Sequence, residues 1–466
     1  MAILMIFSYS ALRLDTEALN KAVELANQTK QDILPIFIED ANLSSISSSF
    51  SFDNKGNHTN NSYKFYSNAL HNLNKDFFKL YNANMVILSG DFEAILSSLL
   101  LKYNIKHVFT SVVYELKFLN LYKKLIANYL KVDFHFFNDS LLHTSKEILN
   151  RSNEPYQIFT PFYNNLIAML KLNFKYDLSA AHTFKVNFVN VEHEDAVKIE
   201  VLQDSPSEAP SKQYALKVLD EFIDKKIMNY KNNRDIPSIE ATSSLSPYLR
   251  FGILDIKFIL SKVINITNIG AETFIKELIW REFAYYVAYY FPHIIHQNHK
   301  PLYNNFKWDN NENLLQKFKA GLTGYPIVDA GITELTTTGN MHNRVRMIVA
   351  SFLIKNLNTP WQIGAEFFKD YLIDYDETIN AFSWQWVAGC GFDASPYFRV
   401  FNPKLQNEKF DPNCLYIKKY LPSLSSYKAE DILNLYDNDK SLLINYVDKI
   451  VDFKRSREDF LAKIIK

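Results

Sequence analysis

The hydrophobic pattern of this 466-residue chain changes period once, and that change limits what it can fold into. Over residues 1–135 the short apolar runs are Ile3–Tyr9, Asp32–Glu39, Asn84–Gly90, Lys106–Val112 and Val132–Phe137. They alternate with helical stretches such as Asp91–Tyr103. Parallel strands are buried on both faces and need a crossover helix between them, so this alternation predicts an α/β domain with a doubly wound parallel sheet. From Tyr214 onward the strand signals stop. Apolar residues then recur at spacings of three and four, as in Leu216/Leu219/Phe222/Ile223 and Phe274/Leu278. That period predicts an all-α domain over 213–466. The chain exceeds what one core organises, so separate domains are expected, with 136–212 as connector.

Glu192–Ser211 carries acids, serines and two prolines and suits a crossing linker, and Ser44–Asn61 suits a Ser/Asn-rich surface insertion. No Gly-x-Gly-x-x-Gly follows a strand, which argues against a dinucleotide-binding Rossmann domain. Lys plus Arg equals Asp plus Glu at 51 each, so net charge gives no pull toward a polyanion. A nucleic acid would have to be gripped by a local basic patch. Two cysteines make neither a disulfide framework nor a metal set, and a cytoplasmic protein is expected. The apolar start lacks a basic flank and meets Arg13 and Asp15 at once, so it reads as a buried strand rather than a leader. Phe283–Ile295 is too short to span a bilayer, and no membrane association is expected.

All five tryptophans, Trp280, Trp308, Trp361, Trp384 and Trp386, fall in the helical part, among fixed polar groups. Indoles set among Arg, Asn and Asp suit a site for a large aromatic cofactor, although each one also suits a core. Glu277, Trp280 and Arg281 share a helix face, as either a solvated Glu–Arg pair or a buried acid awaiting a substrate. Asn343 and Met347 are four apart, with Arg344 and Arg346 between them. Such a helix either packs in the ordinary way or aims an amide at a pyrimidine edge. Asp374, Asp376 and Asn380 leave three readings: an oxygen-only metal site, a partner for Arg346, or the polar edge of a flavin. Thr242-Ser-Ser-Leu-Ser-Pro-Tyr248 is either an N-cap or a phosphate site at a helix start.

Several segments together resemble the DNA photolyase/cryptochrome family in order and spacing. They are Tyr230-x-x-x-Arg234-Asp-x-Pro237, Thr242-Ser-x-Leu-Ser246, Glu277-Leu-Ile-Trp-Arg-Glu-Phe283, Thr323-Gly-Tyr-Pro-Ile-Val-Asp-Ala330, Met341-His-Asn-Arg344, Trp384-Gln-Trp386 and Asp393–Pro403. The similarity is dense from Tyr230 to Pro422. It is fainter at Phe7–Leu14 and Pro155–Phe162. Within the family the chain is most similar to class I cyclobutane pyrimidine dimer photolyases.

The resemblance implies FAD held by Tyr230, Thr242, Ser243, Leu245, Ser246, Phe274, Arg281, Arg346, Asp374, Asp376 and Asn380. It implies a lesion pocket of Glu277, Trp280, Asn343, Met347 and Trp386, and phosphate contacts from Arg234, Arg344, Arg399 and Lys404. Trp384, Trp361 and Trp308 match the family's electron relay from flavin to surface. The implied activity is light-dependent repair of damaged DNA by a monomer with no resident metal and no protein partner. A cryptochrome-type receptor, or a (6-4) or single-strand-specific photolyase, is the alternative. The usual Asn-Glu pair for a folate antenna is missing at Tyr114-Glu-Leu-Lys-Phe118, so a second chromophore is a deazaflavin, a riboflavin-type pigment, a differently held folate, or none.

Overall fold

A computed structural model of the chain describes residues 2–46, 61–174, 176, 186–189, 196, 210–309, 311–437 and 444–465. Most of the Ser/Asn-rich insertion and of the 192–211 stretch lies outside the described residues. Contacts divide the chain into two compact units. One comprises Met1–Pro155, Thr160–Ile227 and Ser243–Tyr289; the other comprises Tyr156–Phe159, Met228–Thr242 and Tyr290–Lys466.

In the first unit the five apolar runs form a parallel sheet of β1 (Ala2–Phe7), β2 (Asp32–Glu39), β3 (Val86–Ser89), β4 (His107–Ser111) and β5 (Asp133–Phe137). Its order is β3-β2-β1-β4-β5, and every pairing is parallel. The winding runs outward from β1 in both directions, as the α/β reading requires. Ile3 through Phe7 are all buried, which explains why β1 reads as unbroken apolar sequence. Pro35 sits inside β2 at little cost. The backbone of Ile33 bonds Asn187 and Val189, and the Glu39 carbonyl bonds Gly90 just past β3, so Pro35 shares that side of the strand, where β3 pairing begins only at Ile36↔Val86. Helices α1 (Glu17–Thr29), α2 (Asn61–Tyr81), α3 (Phe92–Lys102) and α4 (Leu116–Asn128) cross between strands. Thr16 caps α1 and Asp91 caps α3 through side-chain oxygens.

Buried charge fastens the sheet's loops to helical segments of the same unit. The Arg13 side chain is fully buried and donates to the Gly252 carbonyl at 2.9 Å and the Asp139 carbonyl at 2.7 Å, with Asp255 at 3.4 Å. The Asp139 carboxylate accepts from Glu17 N, Ala18 N and Ser111 Oγ. Gly252 is obligatory here. Its φ is +57°, and a Cβ would run into the Ser10 carbonyl oxygen. Glu115, from the stretch where a folate pair is missing, ion-pairs with Arg250 at 2.7 Å and accepts from Ser45.

Past Phe137 the regular elements among the described residues are all helices, the first α-helix being Phe159–Asn173 inside the stretch expected as connector. The core of the second unit packs helices Pro326–Thr338, Asn343–Lys355, Trp361–Tyr371 and Glu377–Ala388. The Thr323-Gly-Tyr-Pro-Ile-Val-Asp motif is a structural knot. Asp329 is buried and accepts from Thr323 N, Thr323 Oγ1, Gly324 N and Tyr446 Oη. Burial pushes its pKa up to about 6 against those four bonds. Among the described residues no helix is long and apolar enough to cross a membrane.

Candidate active site

The Asn343–Lys355 helix carries several of the second unit's predicted site residues. His342 caps it, its Nδ1 accepting from Arg344 N at 3.2 Å. An accepting Nδ1 must be unprotonated. Burial, more than the facing Arg344, Arg346 and Arg234, pulls this pKa down to about 4 against the lift from Asp235. One turn spaces exposed Asn343 from half-buried Met347, and Asn343 Nδ2 lies 4.0 Å from Met347 Sδ. The amide and thioether therefore form a single edge, as their spacing predicts.

Arg346 points elsewhere. Its Nε donates to the Met341 carbonyl at 2.7 Å, and Nη2 reaches both Asp374 oxygens at 3.1 Å. Of the three readings of the carboxylate cluster, the partner for Arg346 is present. Nη1 has no protein acceptor among the described residues, so the pair still has a donor for a ligand. Asp376 caps the Glu377–Ala388 helix through Ile379 N at 2.9 Å, and Asn380, one turn on, donates to the Ala365 carbonyl at 3.0 Å. A guanidinium with a spare N–H beside a carboxylate offers both donor and acceptor capacity to a ligand.

The three tryptophans expected to form a relay are tied together through the backbone. Trp384 is buried against Phe368 at 4.8 Å between ring centres. Its ring lies on Gly364, where any Cβ would collide with Trp384 Cη2. Gly364 stands one turn after Trp361 on the same helix, and Trp361 is itself buried. Three residues before Trp361, Asn358 bonds both neighbours of Trp308: its carbonyl accepts from Asp309 N, and its Nδ2 reaches the Lys307 carbonyl. Trp308 is half-buried between Tyr303 and Phe306. Trp386 is half-buried on the core, and its carbonyl holds Ser395 N.

The predicted phosphate contacts differ in how committed they already are. Arg344 pairs with Asp235 at 3.0 Å and lies over Phe410, and Arg234 lies over the Tyr230 ring. Arg399 is exposed on a loop that Lys355 pins by donating to the Arg399 carbonyl at 2.9 Å. Burial pulls that amine down to about 7. Lys404 is held by Asp437 and Glu408.

In the first unit, Glu277 and Trp280 are half-buried one turn apart on the Ile269–Tyr290 helix. Phe274 is buried against Phe222 at 4.7 Å. Arg281 donates to the Ser140 carbonyl at 3.1 Å, reaches Glu282 at 3.3 Å and lies over the Tyr285 ring. Glu282, fully buried, accepts from Leu142 N at 2.8 Å. Ser243 Oγ accepts from Leu245 N, Leu245 is buried, and Ser246 opens a short helix. Thr242, the last residue of a second-unit segment, is half-buried.

Sequence reasoning missed Asp235, Asn298, Gly364 and Glu282. Gly364, inside an apolar helical pattern, had a readable signal, since such a glycine marks a close approach. Asp235 and Glu282 stand inside motifs given above, but their partners Arg344 and Leu142 lie far along the chain, and Asn298 had no local signal.

Comparison with known proteins settles the family. Residues 274–466 match the FAD binding domain of DNA photolyase, and residues 9–179 match the DNA photolyase domain. The deoxyribodipyrimidine photo-lyase of Agrobacterium fabrum is 37% identical over 348 residues, covering 70% of this chain and 72% of that one. The chain belongs to the DNA photolyase family. A further photolyase relative, from Buchnera aphidicola subsp. Baizongia pistaciae, is 34% identical and is covered to 78%. Among solved structures, a class III photolyase from Agrobacterium tumefaciens aligns at TM-score 0.85 and 31% identity, covering 100% of this chain and 97% of its own. An archaeal photolyase from Sulfolobus tokodaii with two FAD molecules aligns at TM-score 0.83 and 27% identity, covering 99% of each chain. The photolyase signature thus extends from the sheet domain to the helical FAD-binding domain.

Proposed function

We propose that this photolyase repairs cyclobutane pyrimidine dimers in damaged DNA as a light-driven deoxyribodipyrimidine photo-lyase. When bound, reduced FAD supplies the photo-excited electron that opens the cyclobutane ring and receives it back. The protein binds, orients and excludes water. The observation that carries the reading is the division of labour on one helix: Arg346 is locked to Asp374 with a spare N–H, while Asn343 and Met347 form a separate edge.

In this reading Arg346, Asp374 and Asn380 meet the flavin ring, and Asp376 holds the helix that presents Asn380. Thr242, Ser243 and Ser246 offer hydroxyls to the pyrophosphate, with Leu245 and Tyr230 as apolar support. Phe274 supplies an aromatic face for adenine, and Arg281 adds charge from its anchored position. Asn343 and Glu277 hydrogen-bond the polar edge of the flipped-out dimer and stabilise negative charge there. Trp280, Trp386 and Met347 give it apolar surface. Arg399, Arg344 and Arg234 grip phosphates, with Lys404 beside them. Trp384, Trp361 and Trp308 re-reduce oxidised cofactor. The chain acts as a cytoplasmic monomer.

Blue-light illumination of the purified, flavin-loaded protein with a dimer-containing oligonucleotide tests the reading. Restoration of intact thymines in light and not in darkness is expected. Photoreduction without any restoration would overturn it in favour of a blue-light receptor.

A further inference from the structure

Trp361, in the middle of the relay, has a polar partner that no motif assigns. Its Nε1–H donates to Asn298 Oδ1 at 2.8 Å, although the residue is only 1% exposed. Asn298 Nδ2 donates in turn to Asn304 Oδ1 at 3.3 Å, which sets the direction of the amide. The Cys390 sulfur lies 3.6 Å from the same Oδ1. The other relay members differ. Trp384 has a buried Nε1 with no hydrogen-bond partner among the described residues, and Trp308 is half-buried among rings.

An indole that has lost an electron becomes acidic at its N–H, and the group facing that hydrogen decides where the proton ends up. A carboxylate or imidazole takes the proton and leaves a neutral radical, which traps the oxidising equivalent. A neutral amide oxygen accepts the hydrogen bond and leaves the proton in place. A hydrogen bond from a charged donor is roughly twice as strong as one from a neutral donor, so Asn298 binds oxidised Trp361 more tightly than resting Trp361.

We propose that Asn298 is a positioning residue of the electron relay: its amide oxygen keeps the proton on oxidised Trp361 and favours positive charge there over Trp384. The proposal rests on reading Trp384, Trp361 and Trp308 as the relay. Trp384 gives one electron to photo-excited oxidised FAD, Trp361 gives one to Trp384, and Trp308 gives one to Trp361. An added thiol reductant, dithiothreitol, gives one to Trp308 and releases its own proton to water. No proton leaves Trp361. With positive charge stabilised on Trp361 in this way, charge moves outward from Trp384. Burial pushes the Cys390 thiol up to about 12, so it stays protonated and is no base for the Trp361 hydrogen.

The test uses the full-length flavin-loaded protein with Asn298→Leu, Asn298→Asp and Asn298→Gln, beside Trp361→Phe. Asn298→Leu is expected to slow photoreduction with dithiothreitol about tenfold, the loss that one charge-assisted hydrogen bond implies. Asn298→Asp keeps the shape but adds a base. Flash spectroscopy should show the neutral tryptophan radical where the wild type shows the cation, and this outcome stands even if Asn298→Leu does not fold. Asn298→Gln, which keeps an amide, should restore both rate and spectrum. A readout independent of the flavin is the indole N–H resonance of Trp361 in ¹⁵N-tryptophan-labelled protein, which should move in the dark on Asn298→Leu. The proposal is overturned if Trp361→Phe blocks photoreduction while Asn298→Leu and Asn298→Asp match the wild type in rate and radical spectrum. If Trp361→Phe itself photoreduces normally, the relay reading fails, and the role of Asn298 fails with it.

Discussion

At the scale of single residues, Gly364 shows how one missing side chain sets a functional geometry. The Trp384 ring occupies the space a Cβ would need, and Leu353 Cδ2 closes the other side. Gly364→Ala should therefore displace the indole and destabilise the fold by about 1–3 kcal/mol, the usual cost of overpacking, as read from a melt. It should slow photoreduction as well, because the ring that moves is one of the three proposed to re-reduce the cofactor. Trp384→Phe separates the two processes: photoreduction is expected to vanish, while repair by chemically pre-reduced protein persists. Glu277→Ala should do the reverse, lowering repair yield per absorbed photon more than DNA affinity. Equal losses of repair in both variants would contradict the assigned roles. Spacing made these residues legible, because three- and four-residue offsets put Glu277 beside Trp280 and Asn343 beside Met347. Asn298 left no such trace, since its bond to Trp361 spans 63 positions from a non-helical segment.

At the scale of elements, the Asn343–Lys355 helix depends on the neutrality of its cap. His342 has a folded pKa near 4 against an unfolded value near 6.5, so between those values the unfolded chain holds more of the proton. Its contribution is present in full above about 6.5 and is lost as pH falls through about 4. The loss is at most about 3 kcal/mol on that interval. Asn accepts a backbone N–H without titrating. His342→Asn should therefore flatten the stability profile between about pH 6.5 and 4, measured by denaturant unfolding at several pH values. The groups facing His342, namely Asp235, Arg234, Arg344 and Arg346, explain why the effect belongs to this helix. The motif Thr323–Ala330 works at the same scale but supports folding alone, since Asp329 spends its acceptors on its own loop and on Tyr446.

At the scale of the whole molecule, equal numbers of acidic and basic residues mean that DNA affinity must come from a few local cations. All four proposed phosphate contacts, Arg234, Arg344, Arg399 and Lys404, belong to the second unit. If each neutralises one phosphate, the slope of log affinity against log salt is about −4. Lys404 is already neutralised by Asp437 and Glu408, and Arg344 is already paired with Asp235, so the slope expected is nearer −2. Lys404→Ala should leave it almost unchanged, and Arg399→Ala should reduce it by about 1. A salt titration of binding to a dimer-containing duplex checks both.

The sequence by itself determined the fold class and the family. Both rest on local regularities: five short apolar β runs giving way to apolar spacings of three and four, and motifs a few residues long. Strands Ala2–Phe7 to Asp133–Phe137 and the C-terminal helices form where those patterns put them, because burial of an apolar face is decided by near neighbours. Only the tertiary structure decided which of the polar residues already have partners. Arg346 chose Asp374, Lys404 chose Asp437, Arg281 chose the Ser140 carbonyl, and Trp361 found Asn298. A hydrogen bond depends on distance and angle in space, and the identities of the two residues do not fix either one.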